Sequence, residues 1–121
     1  MRVYGEAMGG VGLDLLEIAR LQAALERRPG LAERLFTEDE RAYAAAKRRP
    51  WQHLAARFCA KEAVAKALAL TAWSWQDIEV VGGGGAPRVV LRGALAGRAE
   101  TIDVSLTHTD AMAGAVAVVR G

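Results

Sequence analysis

Cysteine, histidine and proline are scarce in this chain of 121 residues, which has one, two and three of them respectively. A lone cysteine, Cys59, excludes an internal disulfide and a cysteine-based zinc centre. Its place in an apolar helical stretch suits a small buried hydrophobe. No apolar run approaches the ~18 residues of a membrane-spanning helix, and the first residues lack a charged-then-apolar secretory pattern. The expectation is a cytoplasmic protein with no membrane partner. Charge excess is lacking too: the net charge of +2 is too small to indicate nucleic-acid binding. The basic residues do cluster, at Arg27-Arg28 and at Lys47-Arg48-Arg49, which suits electrostatic steering of an acidic partner.

What is present is a globular composition, 52% hydrophobic and 25% charged, at a length that suits a single domain over residues 1–121. Residues 1–7 carry no pattern and are expected to form a loose leader. Residues 8–16 read as a glycine-punctuated strand, and 17–28 as a helix ended by Pro29-Gly30. Residues 31–35 read as a helical turn. Thr37-Glu38-Asp39-Glu40 matches a capping box that opens a helix to about residue 46. Residues 47–50 form a basic connector, with Pro50 suited to a helix first turn. Residues 78–81 and 87–91 read as a hairpin around the glycines 82–85. Residues 102–106 and 112–119 read as two further strands around a turn at 107–110. The last strand is apolar on both faces, which fits a central or interface position. Helices first and antiparallel strands after make an α+β domain.

The stretch 54–70, LAARFCAKEAVAKALAL, is the element that sets the rest. It is built of helix formers with no glycine or proline, and apolar residues occupy both of its sides. Such a helix is normally buried on both sides, yet it carries Arg57, Lys61, Glu62 and Lys66. Ionised groups in an apolar setting need a partner, a metal or a ligand. Upstream, Asp14 is an acid within the apolar strand VGLDLL. Taken alone it reads as a helix-capping aspartate as readily as a functional one. Together with Glu62 it makes a carboxylate pair, and two carboxylates plus phosphate oxygens and water are a usual way to hold Mg²⁺. Lys61, Lys66 and Arg57 would add positive charge toward phosphates.

These residues occur in an order that resembles the holo-acyl-carrier-protein synthases, small bacterial phosphopantetheinyl transferases. The resemblance is carried by Gly10-Val11-Gly12-Leu13-Asp14-Leu15-Leu16-Glu17-Ile18, by Arg57-Phe58-Cys59-Ala60-Lys61-Glu62-Ala63-Val64-Ala65-Lys66-Ala67-Leu68, by Trp75-Gln76-Asp77-Ile78-Glu79-Val80 and by Val104-Ser105-Leu106-Thr107-His108-Thr109. It implies the phosphopantetheinyl transferase fold, an antiparallel sheet packed on a long buried helix. It also implies transfer of the 4′-phosphopantetheine arm of coenzyme A to a serine of apo-acyl carrier protein, in fatty acid biosynthesis, with release of 3′,5′-ADP.

On that resemblance Asp14 and Glu62 would hold Mg²⁺, and Lys66 would steady the β-phosphate. Arg57, Lys61, Gly85, Pro87, Thr107 and His108 would bind the coenzyme, the two turns doing so from a neighbouring subunit of a homotrimer. Arg20, Arg27 and Arg28 would dock the acidic carrier. Glu62 or a water on the metal would take the serine proton. The chain departs from the family pattern in two places: Ala69-Leu70-Thr71-Ala72-Trp73-Ser74 is shorter and lacks the glycines of the family's loop, and Ala86 replaces a turn lysine. Two other readings use the same residues, a catalytically weakened trimer that binds carrier or nucleotide, and a small Mg²⁺ nuclease.

Overall fold

In a computed structural model of the chain, residues 9–82 and 85–121 are described. The expected leader, and Gly83 and Gly84 of the glycine turn, lie outside the described residues. The order of elements is β1 (Gly10–Glu17), α1 (Ile18–Arg27), α2 (Leu31–Leu35), α3 (Glu38–Ala45), α4 (Pro50–Ala67), β2 (Ile78–Val81), β3 (Arg88–Leu91), β4 (Thr101–His108) and β5 (Met112–Arg120). Three antiparallel strands form one sheet in the order β1-β5-β4, and β2 and β3 form a separate hairpin. The α+β expectation holds.

Helix α4 lies across the inner face of the three-stranded sheet, and its buried residues run from Leu54 to Ala65. The G-x-G-x-D spacing of β1 has a direct cause. A Cβ on Gly12 would lie 1.8 Å from the carbonyl oxygen of Ala63, and one on Gly10 would lie 2.0 Å from that of Ala67. Strand backbone therefore rests on helix backbone, which only glycine allows. Side chains alternate along a strand, so Asp14 follows Gly10 and Gly12 on the face turned toward α4.

The opposite face of this sheet is apolar over β1 and β5 and polar over β4, where Asp103, Ser105 and Thr107 are exposed, and the described residues leave it uncovered. Val11, Leu13 and Leu15 are 69%, 60% and 65% exposed, opposite Val118, Val116 and Gly114 of β5. β5 is the central strand. Its Ala113, Ala115, Ala117 and Val119 are buried on the helix side, which accounts for a strand apolar on both faces.

The helix ends show sequence chemistry at work. The Thr37–Glu40 capping box forms: the Thr37 hydroxyl accepts from the Glu40 amide at 3.2 Å, and the Glu40 carboxylate accepts from the Thr37 amide at 2.8 Å. Two expected boundaries move. Helix α4 begins at Pro50 and stops at Ala67, because Leu68–Leu70 close it as a Schellman turn. In that turn the Leu70 amide donates to the Ala65 carbonyl and the Ala69 amide to the Lys66 carbonyl. Thr107 and His108, expected in a turn, are the last residues of β4, paired with Gly114 and Ala113.

Candidate active site

The first cluster sits where β1 crosses the C-terminal half of α4. Lys66 Nζ donates to the Asp14 carboxylate at 3.2 Å and to the Leu13 carbonyl at 2.9 Å. The side chain of Asp14 is 15% exposed and that of Lys66 is 53% exposed, so the ammonium can turn from Asp14 toward a ligand. Glu62, half-buried and one helical turn before Lys66, has its carboxyl pushed above the usual range by burial and then by the Asp14 charge, while Lys66 pulls it down. Behind the pair, the Cys59 thiol donates to the Ala113 carbonyl at 3.6 Å. Burial, with the nearby Asp14 and Glu62 charges adding, pushes that thiol up to about 12, so Cys59 is a packed, un-ionised group.

The donor chemistry here fits a divalent cation. Two hard oxygen donors come from β1 and α4, the Asp14 charge disfavours that of Glu62, and a cation there would relieve that repulsion. Among the described residues no set of three or more acids, histidines and cysteines forms a complete cage. The remaining coordination positions would fall to phosphate oxygens and water, the way Mg²⁺ is usually held.

A second cluster forms around the N-terminal half of α4. The His53 ring lies edge-on to Tyr43 at 5.6 Å and to His108 at 6.1 Å. The Arg57 guanidinium lies 4.0 Å over the Tyr43 ring and donates to the Gly82 carbonyl at 2.9 Å, tying α4 to the turn that carries Gly85 and Pro87. Arg57 is 4% exposed, and its Nε has no hydrogen-bond partner among the described residues. Lys47, Arg48, Arg49, Gln52 and His53 line an adjoining cavity of about 480 Å³. Burial lowers the His53 pKa, and the Arg57, His108 and Lys47 charges lower it further. The surroundings of that imidazole thus already favour an anion.

Sequence reasoning missed Tyr43 and His53. His53 was visible as one of two histidines, just upstream of the apolar helix, but its approach to His108 joins elements 55 residues apart. A larger cavity of about 570 Å³ between the outer ends of β1 and β5 is lined by glycines, valines and Arg120. Its described lining holds no acid or nucleophile and lies away from both clusters.

One expected role is corrected. Lys61 does not face a coenzyme site: its side chain is fully buried, and Nζ meets Glu40 at 2.6 Å and the Trp75 carbonyl at 2.9 Å. The sequence placed Lys61 among apolar residues and inferred a ligand, but the partner is the capping glutamate of α3. Arg20, Arg27 and Arg28 are exposed on or at the end of α1, which starts four residues after Asp14 and turns Ile18 and Leu21 inward. Thr107 and His108 are exposed at the end of β4.

The structure brings together Asp14, Glu62 and Lys66, and separately Arg57, His108 and the turn of Gly85 and Pro87. From His53 to Glu62 the helix advances roughly 13 Å and turns about half a revolution, so the two clusters face apart within one chain.

Comparison with known proteins identifies the family. A profile of the 4′-phosphopantetheinyl transferase superfamily matches residues 10–117. The holo-[acyl-carrier-protein] synthase of Streptomyces avermitilis is 49% identical over 93% of this chain and 97% of its own. The acyl carrier protein synthase structure of Mycobacterium tuberculosis is 41% identical, with a TM-score of 0.73 over 91% of this chain and 95% of that one. A holo-(acyl-carrier-protein) synthase from Bacillus anthracis, solved in complex with CoA (3′,5′-ADP), is 30% identical with a TM-score of 0.79 over 93% and 96%. With its glycine-bearing first strand, its signature helix and its paired acids in place, the chain belongs to the 4′-phosphopantetheinyl transferase superfamily, as a phosphopantetheinyl transferase of the holo-[acyl-carrier-protein] synthase type.

Proposed function

We propose that the chain transfers the 4′-phosphopantetheine arm of coenzyme A to a serine of apo-acyl carrier protein, using Mg²⁺, in the cytoplasm and in fatty acid biosynthesis. The observation that carries this reading is the meeting of Asp14, Glu62 and Lys66 where β1 crosses α4. Asp14 and Glu62 would hold the metal. Bound there, Mg²⁺ supplies positive charge for the diphosphate and for the charge that grows on the leaving group. Lys66, half-exposed beside Asp14, orients the β-phosphate. The serine Oγ forms a bond to the phosphorus bearing pantetheine as the bond from that phosphorus to 3′,5′-ADP breaks, and Glu62 or a water takes the serine proton.

The second cluster suits the phosphates of the leaving nucleotide. It offers His108, the cationic cavity around Lys47–His53 and the Arg57 Nε, a buried donor with no partner among the described residues that an oxygen could satisfy. Gly85, Pro87 and Thr107 belong to the turn and strand end beside it. Because the two clusters face apart in one chain, a complete site requires a second copy. The exposed Val11-Leu13-Leu15 face offers the apolar surface for that association, and a homotrimer with three interfacial sites is the assembly we assign. Arg20, Arg27 and Arg28 would receive the acidic carrier. Since α1 follows β1 directly, a carrier seated there brings its serine to the Asp14 end of the site.

Incubation with CoA, Mg²⁺ and apo-acyl carrier protein, followed by mass spectrometry of the carrier, tests the proposal. The expected result is the gain of one phosphopantetheine with wild type, and no gain with folded Asp14→Ala or Glu62→Ala. An unmodified carrier at saturating CoA would overturn it.

A further inference from the structure

Lys61 and Glu40 are 0% and 1% exposed, and burying such a pair is costly unless every polar atom is used. Here they are used across several elements. One Glu40 oxygen takes Lys61 and the Thr37 amide, and the other takes the Val80 amide at 2.7 Å. Lys61 spends a second hydrogen on the Trp75 carbonyl. Among the hydrogen bonds of the described residues, this is the one that ties residues 71–75 to α4. The Trp75 ring stacks on Phe58 with centroids 4.8 Å apart and planes at 23°, and Trp73 leans on Trp75 at 4.4 Å. Phe58 stands one helical turn before Glu62 and shares its face of α4. The aromatic ledge therefore lies one turn from Glu62 on one side, as Lys66 lies one turn from it on the other.

We infer that Lys61 is a positioning residue for the transfer, whose grip on the Trp75 carbonyl holds the Phe58–Trp75–Trp73 ledge as a wall for the donor beside Glu62. The inference rests on the transferase reading of the Asp14–Glu62 pair. The ledge is apolar and half-buried, so it suits the uncharged pantetheine arm of the donor rather than its phosphates. Contacts to that remote arm would hold the reacting phosphorus in place, and a loosened wall is felt in donor binding. A lysine that served folding alone would change stability and leave the kinetic constants of the folded protein as they were.

Trp51→Phe confines tryptophan emission to Trp73 and Trp75 and provides the parent protein. Lys61→Met alone would strand the buried Glu40 carboxylate. The test therefore also uses Lys61→Met with Glu40→Gln, which removes both charges together. The expected result for the double variant is a cooperative urea transition, altered emission and a weakened emission response to CoA. Its KM for CoA should rise roughly tenfold while its KM for the carrier stays within about twofold. A folded double variant with parental CoA response and parental KM for CoA would overturn the inference. Failure of both variants to fold would also overturn it, making Lys61 a folding residue only. A parent that modifies no carrier would bring down the transferase reading itself, which a silent Lys61 variant would leave standing.

Discussion

Ala69 has φ of +56°, in the left-handed region where a Cβ costs roughly 1–2 kcal/mol. The Schellman turn after α4 demands that conformation and is usually built on glycine. Ala69→Gly should stabilise the protein by about 1 kcal/mol, read from urea unfolding. A loss of stability would contradict the strain. Glu62 carries a second testable cost. Its carboxyl is raised in the fold, so the native state holds this proton more tightly than the unfolded chain does. The contribution of Glu62 to stability is then complete below the unfolded value near 4.5 and is lost as pH rises through the folded value. Glu62→Gln should remove that loss, leaving the variant the more stable protein at neutral pH while it transfers nothing. Urea unfolding of both proteins across pH 4–8 checks the sign. Asp14, Glu62 and Lys66 were legible at this scale because helix spacing and apolar surroundings expose misplaced charges. Lys61 was misread because its neutralising partner, Glu40, had a sufficient local explanation as a cap, and linear spacing does not show that one carboxylate can serve a cap, a lysine and a strand amide together.

At the scale of elements, the contact of β1 with α4 sets the position of Asp14. A methyl on Gly12 meets the backbone of Ala63, and backbone cannot swing aside as a side chain can. Gly12→Ala should cost about 3 kcal/mol in urea unfolding and lower the transfer rate by more than the loss of folded protein explains, since β1 must lift off α4 and take Asp14 with it. Unchanged stability and rate would show that the strand does not rest on the helix. The elements themselves were readable because each local signal pointed the same way: the capping box for α3, Pro50 for the start of α4, and the two-faced apolar run for β5. The end of α4 was not, because Leu68-Ala69-Leu70 has good helix propensity, and only the turn that follows reverses the chain. The network of Thr37, Glu79 and Arg92 behind the hairpin was also silent in the sequence. Burial alone would raise the Glu79 carboxyl, yet hydrogen bonds from Thr37 and Arg92, with the charges of Arg92 and Lys61, bring it below the usual range.

At the scale of the whole molecule, the proposed site divides into halves that face apart, and the described residues leave the apolar outer face of β1 and β5 uncovered. Both point to association, and Leu13 lies within that face. Leu13→Asp should give a folded monomer by sedimentation, with transfer abolished; an assembly unchanged in size would move the interface elsewhere. The proposed transfer depends on two acids, 48 residues apart in the chain, acting as one ligand set. Manganese, a paramagnetic stand-in for magnesium, tests that most directly when titrated in the presence of CoA and followed by electron paramagnetic resonance. Wild type should bind the ion, and both folded Asp14→Asn and folded Glu62→Gln should lose about tenfold or more in affinity. Wild-type affinity in either variant would contradict a shared site.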